Sequence, residues 1–279
     1  MASPLRKRTL FLTLDAFGTI FHPRKPVPLQ YSAVGAKYGF RGLSAADLEN
    51  SFRKAFKEES RIHPNYGKGV GLDASQWWAN IIKGTFEPYT AIADAPKEVP
   101  KQMIEELLYR FSHKEGYAIY PDALELFVAL RIVKKSIPEN ANWPWGKTIV
   151  NVISNSDDRI ISVLESLGIS VGHGRDIENV IISYDVGAEK PDPRIFEYAA
   201  RYAPRDAVKV HVGDDVAKDA VGATAAGNGW YGLLLDREKK YEEWNADQEH
   251  HGLVKIERDG HVIAVLNSLD ALRQWSPRS

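Results

Sequence analysis

Four short motifs in this sequence carry residue types that can transfer an anionic group. In chain order they are LTLDAFGT with Asp15, VISNSD with Ser154, EKPDP with Lys190, and VGDDVAKD with Asp214 and Asp219. Together they supply a carboxylate nucleophile, a hydroxyl donor, a fixed cation and a pair of acids. These are the groups needed to bind and transfer a phosphoryl-like group.

Each of these residues has a structural alternative when it is taken alone. Asp15 could cap a turn at the end of a strand, and Asp214 could cap the helix that follows. Ser154 and Asn155, whose hydroxyl and amide could hold a non-bridging oxygen, could form an ordinary turn, and Lys190 could be a solvated loop lysine. These alternatives do not explain why three acids from distant segments should converge.

Convergence of the acids predicts a cation. Two carboxylates about 4 Å apart repel by about 4 kcal/mol at an effective dielectric constant of about 20, and Lys190 alone cannot neutralise three of them. A hard divalent ion with oxygen ligands, Mg²⁺ above all, would resolve the repulsion and screen an incoming phosphate. Of the paired acids, one would direct its carboxylate to the metal and the other would orient Lys190 or the water shell of the metal.

The pattern of strands and helices predicts that all four motifs lie at one edge of a sheet. Apolar runs predict strands over residues 9–14, 148–154, 180–183, 208–212 and 230–235, with helices over 122–133, 160–167, 195–202 and 217–226. This alternation indicates an α/β fold with a doubly wound parallel sheet, whose ligands bind outside the carboxyl ends of the strands. Residues 236–251 are polar and predict a surface loop. Leu269, Leu272 and Trp275 predict a closing helix.

Between the first two strands the pattern becomes helical. Leu29, Val34 and Tyr38 share one helix face, which Gly39 ends, and Ser44 is placed to cap a second helix. Two further stretches, 77–82 and 103–111, have helical spacing. We therefore predict an α/β core domain of residues 1–20 and 117–279, with an all-helical domain of residues 21–116 inserted into it.

Composition excludes several classes of function. Lys and Arg total 36 against 37 Asp and Glu, a formal net charge of −1, which gives no broad field for nucleic acid or an anionic membrane. The absence of cysteine excludes disulfides, thiolate nucleophiles and cysteine-ligated zinc. We expect a monomer or weak homodimer in the cytoplasm, with access to the nucleus and a short mitochondrial presequence left open as alternatives.

The ordered motifs DAFGT, ISNSD, EKPDP and GDDVAKDAVGATAAG resemble the haloacid dehalogenase-like hydrolase superfamily, and the inserted helices resemble the cap of its subfamily I. HPNYG, SQWW and SNSDDR resemble more closely a eukaryotic subgroup named after a rhythmically expressed fruit-fly gene. The resemblance covers about residues 9–235. It implies Asp15 as nucleophile, Ser154 as donor to a phosphate oxygen and Lys190 as the charge-balancing lysine. It also implies a Mg²⁺ ion held by Asp15, Asp214, Asp219 and the backbone carbonyl of Phe17. Asn155, Gly18 and Thr19 are predicted to bind the substrate together with Ser154.

One position departs from the phosphatases of this superfamily. Their general acid and base is a second aspartate two residues after the nucleophile, whereas this sequence has Phe17. Phenylalanine cannot protonate a leaving group, and loss of a positioned acid typically costs about 10²–10⁴-fold in rate. Turnover of ordinary alkyl phosphates is therefore expected to be slow.

Three functions remain open from the sequence. The first is a Mg²⁺-dependent phosphohydrolase that acts through an aspartyl-phosphate on a small phosphorylated metabolite. The second is a protein that binds a phosphate ligand, or serves as a scaffold, without turnover. The third is a 2-haloacid dehalogenase, which an aromatic residue at position 17 resembles but which the acids Asp214 and Asp215 argue against.

The inserted helices would close over the site and set its specificity. Tyr66, between Asn65 and Gly67 in a predicted loop, is the ligand-binding candidate there. Other candidate contacts, for which a core position is the stronger alternative, are Arg24, Lys25, Tyr31, Trp77 and Trp78. An acid from this domain could compensate for Phe17, the candidates being Glu58, Glu59 and His63.

Overall fold

The computed structural model describes residues 8–135, 143–244 and 249–277. By its contacts the chain forms two compact units. The α/β unit comprises Met1–His22, Ile119–Ser156 and Ile169–Ser279, and the helical unit comprises Pro23–Ala118 and Asp157–Gly168. The basic residues 1–7 and residues 245–248 of the predicted surface loop lie outside the described residues.

The strands confirm the predicted fold class. In chain order they are β1 (Thr9–Leu14), β2 (Phe21–Pro23), β3 (Tyr117–Ile119), β4 (Lys147–Ser154), β5 (Asn179–Ile182), β6 (Val208–Gly213), β7 (Trp230–Leu235), β8 (Leu253–Arg258) and β9 (His261–Leu266). Seven of them form one sheet in the order β5-β4-β1-β6-β7-β9-β8, and β2 pairs with β3. Every pairing in the large sheet is parallel except that of β8 with β9. The predicted strands 9–14 and 230–235 match β1 and β7.

β1 lies inside the sheet, between β4 and β6, and its residues from Leu10 to Leu14 are all buried. Leu12 and Leu14 are fully buried, and β1 pairs with β4 and β6 in register. Leu14 lies opposite Val152 of β4 and Val212 of β6. This register brings the carboxyl ends of three neighbouring strands to one edge.

The helices follow the predicted order. They are α1 (Val27–Lys37), α2 (Ala45–Ile62), α3 (Ala74–Phe86), α4 (Lys101–Arg110), α5 (Pro121–Lys135), α6 (Arg159–Ser166), α7 (Ser183–Val186), α8 (Pro193–Ala200) and α9 (Gly222–Ala225). None of the helices in the described ranges is long and apolar enough to cross a membrane.

The helical unit has its own apolar core. Tyr31, Phe86 and Met103, from three different helices, lie in one buried cluster. Ser44 caps α2 by accepting a hydrogen bond from the Asp47 backbone, as its sequence position predicts. The unit also includes residues 157–168, which carry α6 and which the sequence-based division assigns to the core domain. The domain division made from the sequence therefore stays a prediction.

Three elements differ from the sequence-based expectation. The hairpin β8–β9 was not predicted, although Asp259 and Gly260 both have the positive φ of a tight hairpin turn. The predicted helix over 217–226 is a π-helical turn, Val216–Val221, followed by α9. The predicted closing helix is a short 3-10 helix, Leu269–Arg273. Within the predicted surface loop, Trp244 is buried and donates to the buried Asp236 carboxylate at 2.8 Å.

Candidate active site

Neighbouring strands deliver the acids and the serine to the same edge of the sheet. Asp15 follows β1 directly, and its backbone N–H donates to the Val212 carbonyl of β6 at 2.8 Å. Ser154 is the buried last residue of β4, and Asp214 follows the last residue of β6. The parallel register brings together side chains that are about 200 residues apart in sequence.

Lys190 joins two of the carboxylates. Its Nζ donates to Asp15 Oδ1 and Asp219 Oδ1, each at 2.6 Å, and to the Ile153 carbonyl at 2.9 Å. Only 3% of the residue is exposed. All three protons of the ammonium are therefore engaged, so its position is fixed relative to the nucleophile candidate.

Asn155 holds the backbone of Lys190. Its Oδ1 accepts from the Lys190 N–H at 2.7 Å, and its Nδ2 donates to the Lys190 carbonyl at 2.9 Å. The sequence suggested this amide as a ligand for a phosphate oxygen. In the structure these two hydrogen bonds position the loop that carries Lys190, and a ligand role for the amide stays a prediction.

Asp219 uses both carboxylate oxygens. Oδ1 accepts from Lys190 and lies 3.1 Å from His211 Nε2, and Oδ2 accepts from the Asp215 N–H at 3.0 Å. Asp219 therefore orients Lys190, which is one of the two roles that the sequence left open for the paired acids.

Sequence reasoning missed His211. It is fully buried, and its Nδ1 lies 2.8 Å from the Thr13 hydroxyl on the neighbouring strand. Thr13 and His211 are register partners in β1 and β6. The sequence signal for it is a histidine in the predicted strand VKVHV, directly before the GDD motif, because a polar side chain buried in a strand needs partners.

Two glycines make room for the acids. A Cβ on Gly18, whose φ is +79°, would lie 2.2 Å from Asp214 Oδ2. A Cβ on Gly213 would lie 2.1 Å from Asp219 Cγ. Since real Cβ atoms do not come so close to other atoms, each carboxylate depends on its glycine for its position.

The acids fit a hard cation. Asp15, Asp214 and Asp219 each offer one carboxylate oxygen, and these oxygens lie within 4.8 Å of one another. Oxygen ligands of this type suit Mg²⁺. Gly18 leaves space for the Asp214 carboxylate, and hydrogen bonds orient Asp219, so the three carboxylates can lie together and fit the predicted metal. A contribution from the Phe17 carbonyl stays a prediction.

Burial and charge set the protonation of the cluster. Burial raises the pKa of Asp15 to about 7. The Lys190 ammonium lowers this pKa and offsets part of the rise, whereas the negative charge of Asp219 adds to it. Burial opposes charge on Asp219 too, but Lys190 and His211 hold the pKa of its carboxyl well below the usual range. Burial works against the Lys190 ammonium as well, yet Asp15 and Asp219 raise its pKa. Burial, followed by the Asp219 charge, raises the pKa of Asp214.

Phe17 and Thr19 lie in the turn after Asp15. Phe17 is 39% exposed, and its ring packs edge-on against Phe21 with centroids 4.8 Å apart. Thr19 is fully buried, and its hydroxyl has no hydrogen-bond partner within the described residues. The apolar ring at position 17 thus lies two residues from the nucleophile candidate, and substrate binding by Thr19 stays a prediction.

In the helical unit, the aromatic candidates divide into core and loop residues. Tyr31 and Trp77 are buried, as expected if they are core residues and not ligand contacts. Trp78 donates from Nε1 to Asp157 Oδ2 at 2.8 Å. Tyr66 has a left-handed φ of 57° in the turn after α2, and its ring centroid lies 5.0 Å from that of Trp77. A ligand role for Tyr66 stays a prediction.

The basic and acidic candidates of the helical unit have local partners. Arg24 Nε donates to the Lys114 carbonyl at 2.6 Å. Glu58 pairs with Arg61, and Glu59 Oε1 lies 2.8 Å from His63 Nδ1. For Lys25, the structure gives a contact of its carbonyl, which accepts from the Gln30 amide at 2.9 Å.

Comparison with known proteins identifies the family of this chain. The family model for haloacid dehalogenase-like hydrolases matches residues 12–227. The chain is similar to the Schizosaccharomyces pombe protein C7D4.05, with 39% identity over 221 residues, 76% of this chain and 85% of that protein. It is similar to haloacid dehalogenase-like hydrolase domain-containing protein 3 of Bos taurus, with 32% identity over 81% of this chain and 82% of the relative.

Two further similarities concern the subgroup and the fold. The Rhythmically expressed gene 2 protein of Drosophila melanogaster is 28% identical over 87% of this chain and 91% of its own, in agreement with the predicted subgroup. The solved structure of the L-2-haloacid dehalogenase PA0810 aligns with a TM-score of 0.55 and 15% identity over 81% of this chain and 85% of that one. At that identity the likeness shows the fold alone. From the family match and its relatives, the chain belongs to the haloacid dehalogenase-like hydrolases.

Proposed function

We propose that this protein is a Mg²⁺-dependent phosphohydrolase that acts on a small phosphorylated substrate through an aspartyl-phosphate. One observation carries the proposal. The Lys190 ammonium bridges Asp15 and Asp219 at 2.6 Å, while Asp15 also belongs to a cluster of three carboxylates of a size to hold one cation. This arrangement suits a nucleophile that must approach an anionic phosphoryl group.

The proposed reaction has two displacements at phosphorus. First, a carboxylate oxygen of Asp15 forms a bond to phosphorus, and the bond from phosphorus to the leaving oxygen breaks with its electron pair. Water then attacks the same phosphorus atom, loses its proton to solvent or a base, and releases phosphate and the free Asp15 carboxylate. Lys190 balances charge on the nucleophile and phosphoryl oxygens, and Ser154 donates to one of these oxygens.

The site as described fits a metal, and Asp15, Asp214 and Asp219 would hold it. A bound Mg²⁺ would neutralise charge on the phosphoryl group and help to orient it. The chain itself holds the nucleophile, fixes the lysine through Asn155 and orients Asp219 through His211.

Phe17 narrows the class of substrate. Because its ring cannot donate a proton, the leaving oxygen must depart as a weak base or take its proton from water. Aryl and acyl phosphates meet this condition and alkyl phosphates do not. We therefore propose preference for a small phosphate ester or anhydride with a good leaving group.

The test compares phosphate release from an aryl and an alkyl phosphate, with Mg²⁺ or EDTA, by wild type, Asp15→Asn and Phe17→Asp. We expect aryl turnover that needs both Mg²⁺ and Asp15, with faster alkyl turnover in Phe17→Asp. Absence of release from either substrate by wild type with Mg²⁺ would refute the phosphohydrolase proposal. Chloride release from 2-chloropropionate, unaffected by EDTA, would indicate a dehalogenase instead.

Phe17 also favours a second candidate, a binding protein that keeps the site without turnover. Such a protein would be stabilised by phosphate together with Mg²⁺, and the stabilisation would require Lys190. Thermal unfolding with and without these ligands, run beside the release assay, distinguishes the two candidates. Stabilisation without any release would favour binding alone.

A further inference from the structure

Arg237, which none of the four motifs contains, touches the turn that follows Asp15. Its Nη1 donates to the Gly18 carbonyl at 2.7 Å, and its Nη2 donates to the Thr19 carbonyl at 2.8 Å. The residue lies just after β7 and is separated from this turn by more than 200 positions. We propose that Arg237 is a positioning residue of the active site, which fixes the turn carrying the predicted metal-side carbonyl of Phe17.

The guanidinium is itself held rigidly. Its Nε lies 3.1 Å from both carboxylate oxygens of Asp122, and its Nη2 donates to Asp122 Oδ1 at 2.8 Å. Its central carbon lies 3.8 Å from the centroid of the Tyr120 ring. The side chains of Arg237 and Asp122 are only 21% and 15% exposed, so the pair is well shielded from water.

Asp122 is held from a third direction. Its Oδ2 accepts from the Leu269 backbone N–H at 2.9 Å, and the neighbouring Tyr120 N–H donates to the Ile20 carbonyl at 3.0 Å. Four segments of the α/β unit therefore meet around one guanidinium: the Asp15 turn, the start of α5, the end of β7 and the residues after β9. Such a junction can hold a turn that has no regular secondary structure of its own.

The turn needs this support because its backbone can move only slightly without a clash. Gly18 has a left-handed φ of +79° and packs so closely on Asp214 that a Cβ would overlap the carboxylate. Its N–H donates to the Phe21 carbonyl at 2.9 Å, and its carbonyl accepts from Arg237. Loss of the second contact would free the Gly18–Thr19 peptide to rotate. The Gly18 Cα, which joins this peptide to the one that carries the Phe17 carbonyl, would then shift against Asp214.

Lysine cannot replace this arginine. Arg237 uses all three guanidinium nitrogens: Nη1 donates to the Gly18 carbonyl, Nη2 to the Thr19 carbonyl and to Asp122, and Nε to Asp122. These donors lie in one plane, which stacks on the Tyr120 ring. An ammonium is a single point of charge on a flexible stem, and it would keep the ion pair while losing the planar contacts. Arg237→Lys therefore keeps the positive charge and removes the planar hydrogen bonds, so its effect reports on those hydrogen bonds.

The test measures two properties of Arg237→Lys, the Mg²⁺ dissociation constant by calorimetry and amide exchange of the peptide that spans the Asp15 turn. Outer contacts of metal ligands are typically worth about 10–100-fold in metal affinity. We expect Mg²⁺ to bind about tenfold more weakly and the turn to exchange faster, with millimolar guanidinium restoring both properties in Arg237→Ala. The matched control is Arg131→Lys, which alters another bidentate ion pair anchored on α5, between Arg131 and Asp176.

The outcomes separate this inference from the proposed function on which its metal readout rests. An Arg237→Lys protein with wild-type exchange in the turn and wild-type Mg²⁺ affinity would overturn the inference. Equal losses of Mg²⁺ affinity in both lysine variants would also overturn it, because they would indicate a general loss of stability. If wild type binds no Mg²⁺, the metal requirement of the proposed function is refuted, and turn exchange alone decides the role of Arg237.

Discussion

Asp214 Oδ2 lies only 2.2 Å from the point where a Cβ on residue 18 would stand, so Gly18 and Asp214 are sterically coupled. The backbone at Gly18 has a φ of +79°, which residues with a side chain rarely adopt. The carboxylate and the turn can hold their present positions only while residue 18 has no side chain.

Gly18→Ala should therefore weaken Mg²⁺ binding strongly. The added methyl group must displace Asp214 or shift the turn, and the left-handed φ alone costs about 1–2 kcal/mol. Gly168→Ala is a matched control, because its φ is +85° and its Cβ would meet nothing within 4 Å. Calorimetric titration with Mg²⁺ and urea unfolding should show similar losses of stability but a loss of metal affinity only at residue 18. Equal metal affinities in the two variants would contradict the coupling.

Replacing His211 by phenylalanine should destabilise the protein by about 1–3 kcal/mol, because the buried Asp219 and Thr13 oxygens each lose a partner. Urea unfolding of His211→Phe, Thr13→Val and the double variant measures how far the two residues act together. We expect the double variant to lose less stability than the sum of the single variants. Strict additivity would argue against a shared hydrogen bond.

Asn155→Ala should lower phosphate release from an aryl phosphate, since it removes both hydrogen bonds that hold the Lys190 backbone. Asn155→Asp keeps an acceptor for the Lys190 N–H but turns the donor toward the Lys190 carbonyl into a second acceptor. We therefore expect the aspartate variant to be no more active than the alanine variant. Wild-type rates in either variant would show that the loop carrying Lys190 keeps its position without the Asn155 side chain.

Without a divalent metal, Asp15 should make stability depend on pH in an unusual direction. Its folded pKa of about 7 lies above the value of about 3.9 for an unfolded aspartate, so the native state binds the proton more tightly. The stability from this group is fully present below about pH 3.9 and is lost as the pH rises through about 7. Asp219 acts oppositely, because its depressed folded pKa gives stability that is lost as the pH falls below the unfolded value.

Urea midpoints of wild type and Asp15→Asn in EDTA isolate the first effect, since other groups largely cancel in the difference. We expect wild type to lose stability relative to Asp15→Asn between about pH 4 and 7, the interval between the unfolded and the folded pKa of Asp15. Added Mg²⁺ should reduce this loss by favouring the ionised carboxylate. Parallel midpoints in EDTA would show that Asp15 is ionised throughout that range.

The local sequence pattern was sufficient to predict most of the fold. The strand ending at Leu14 is rich in apolar and β-branched residues, as is typical of an interior parallel strand, and Ser44 is a residue type that commonly caps helices. The hairpin β8–β9 also has a local signal, the Asp259–Gly260 turn between two segments with alternating apolar residues. The closing 3-10 helix could not be distinguished from an α-helix, because Leu269 and Leu272 suit the spacing of either.

A residue of the candidate site could be predicted from the sequence only where it belongs to one of the four motifs. Asp15, Lys190 and Asp219 could be selected by residue type, and the structure brings them within hydrogen-bonding distance. His211 and Arg237 act through partners that lie 198 and 219 positions away in the sequence. Such contacts depend on strand register and loop packing, which no local pattern specifies.

The hairpin also determines how the large sheet ends. β8 is the last strand in the order, and it alternates buried Val254 and Ile256 with exposed Lys255 and Glu257. Charged side chains along an outer strand discourage edge-to-edge pairing with a strand of another molecule. By covering β7 and ending the sheet in a strand with charged side chains, this hairpin should protect the protein against aggregation through this edge of its sheet.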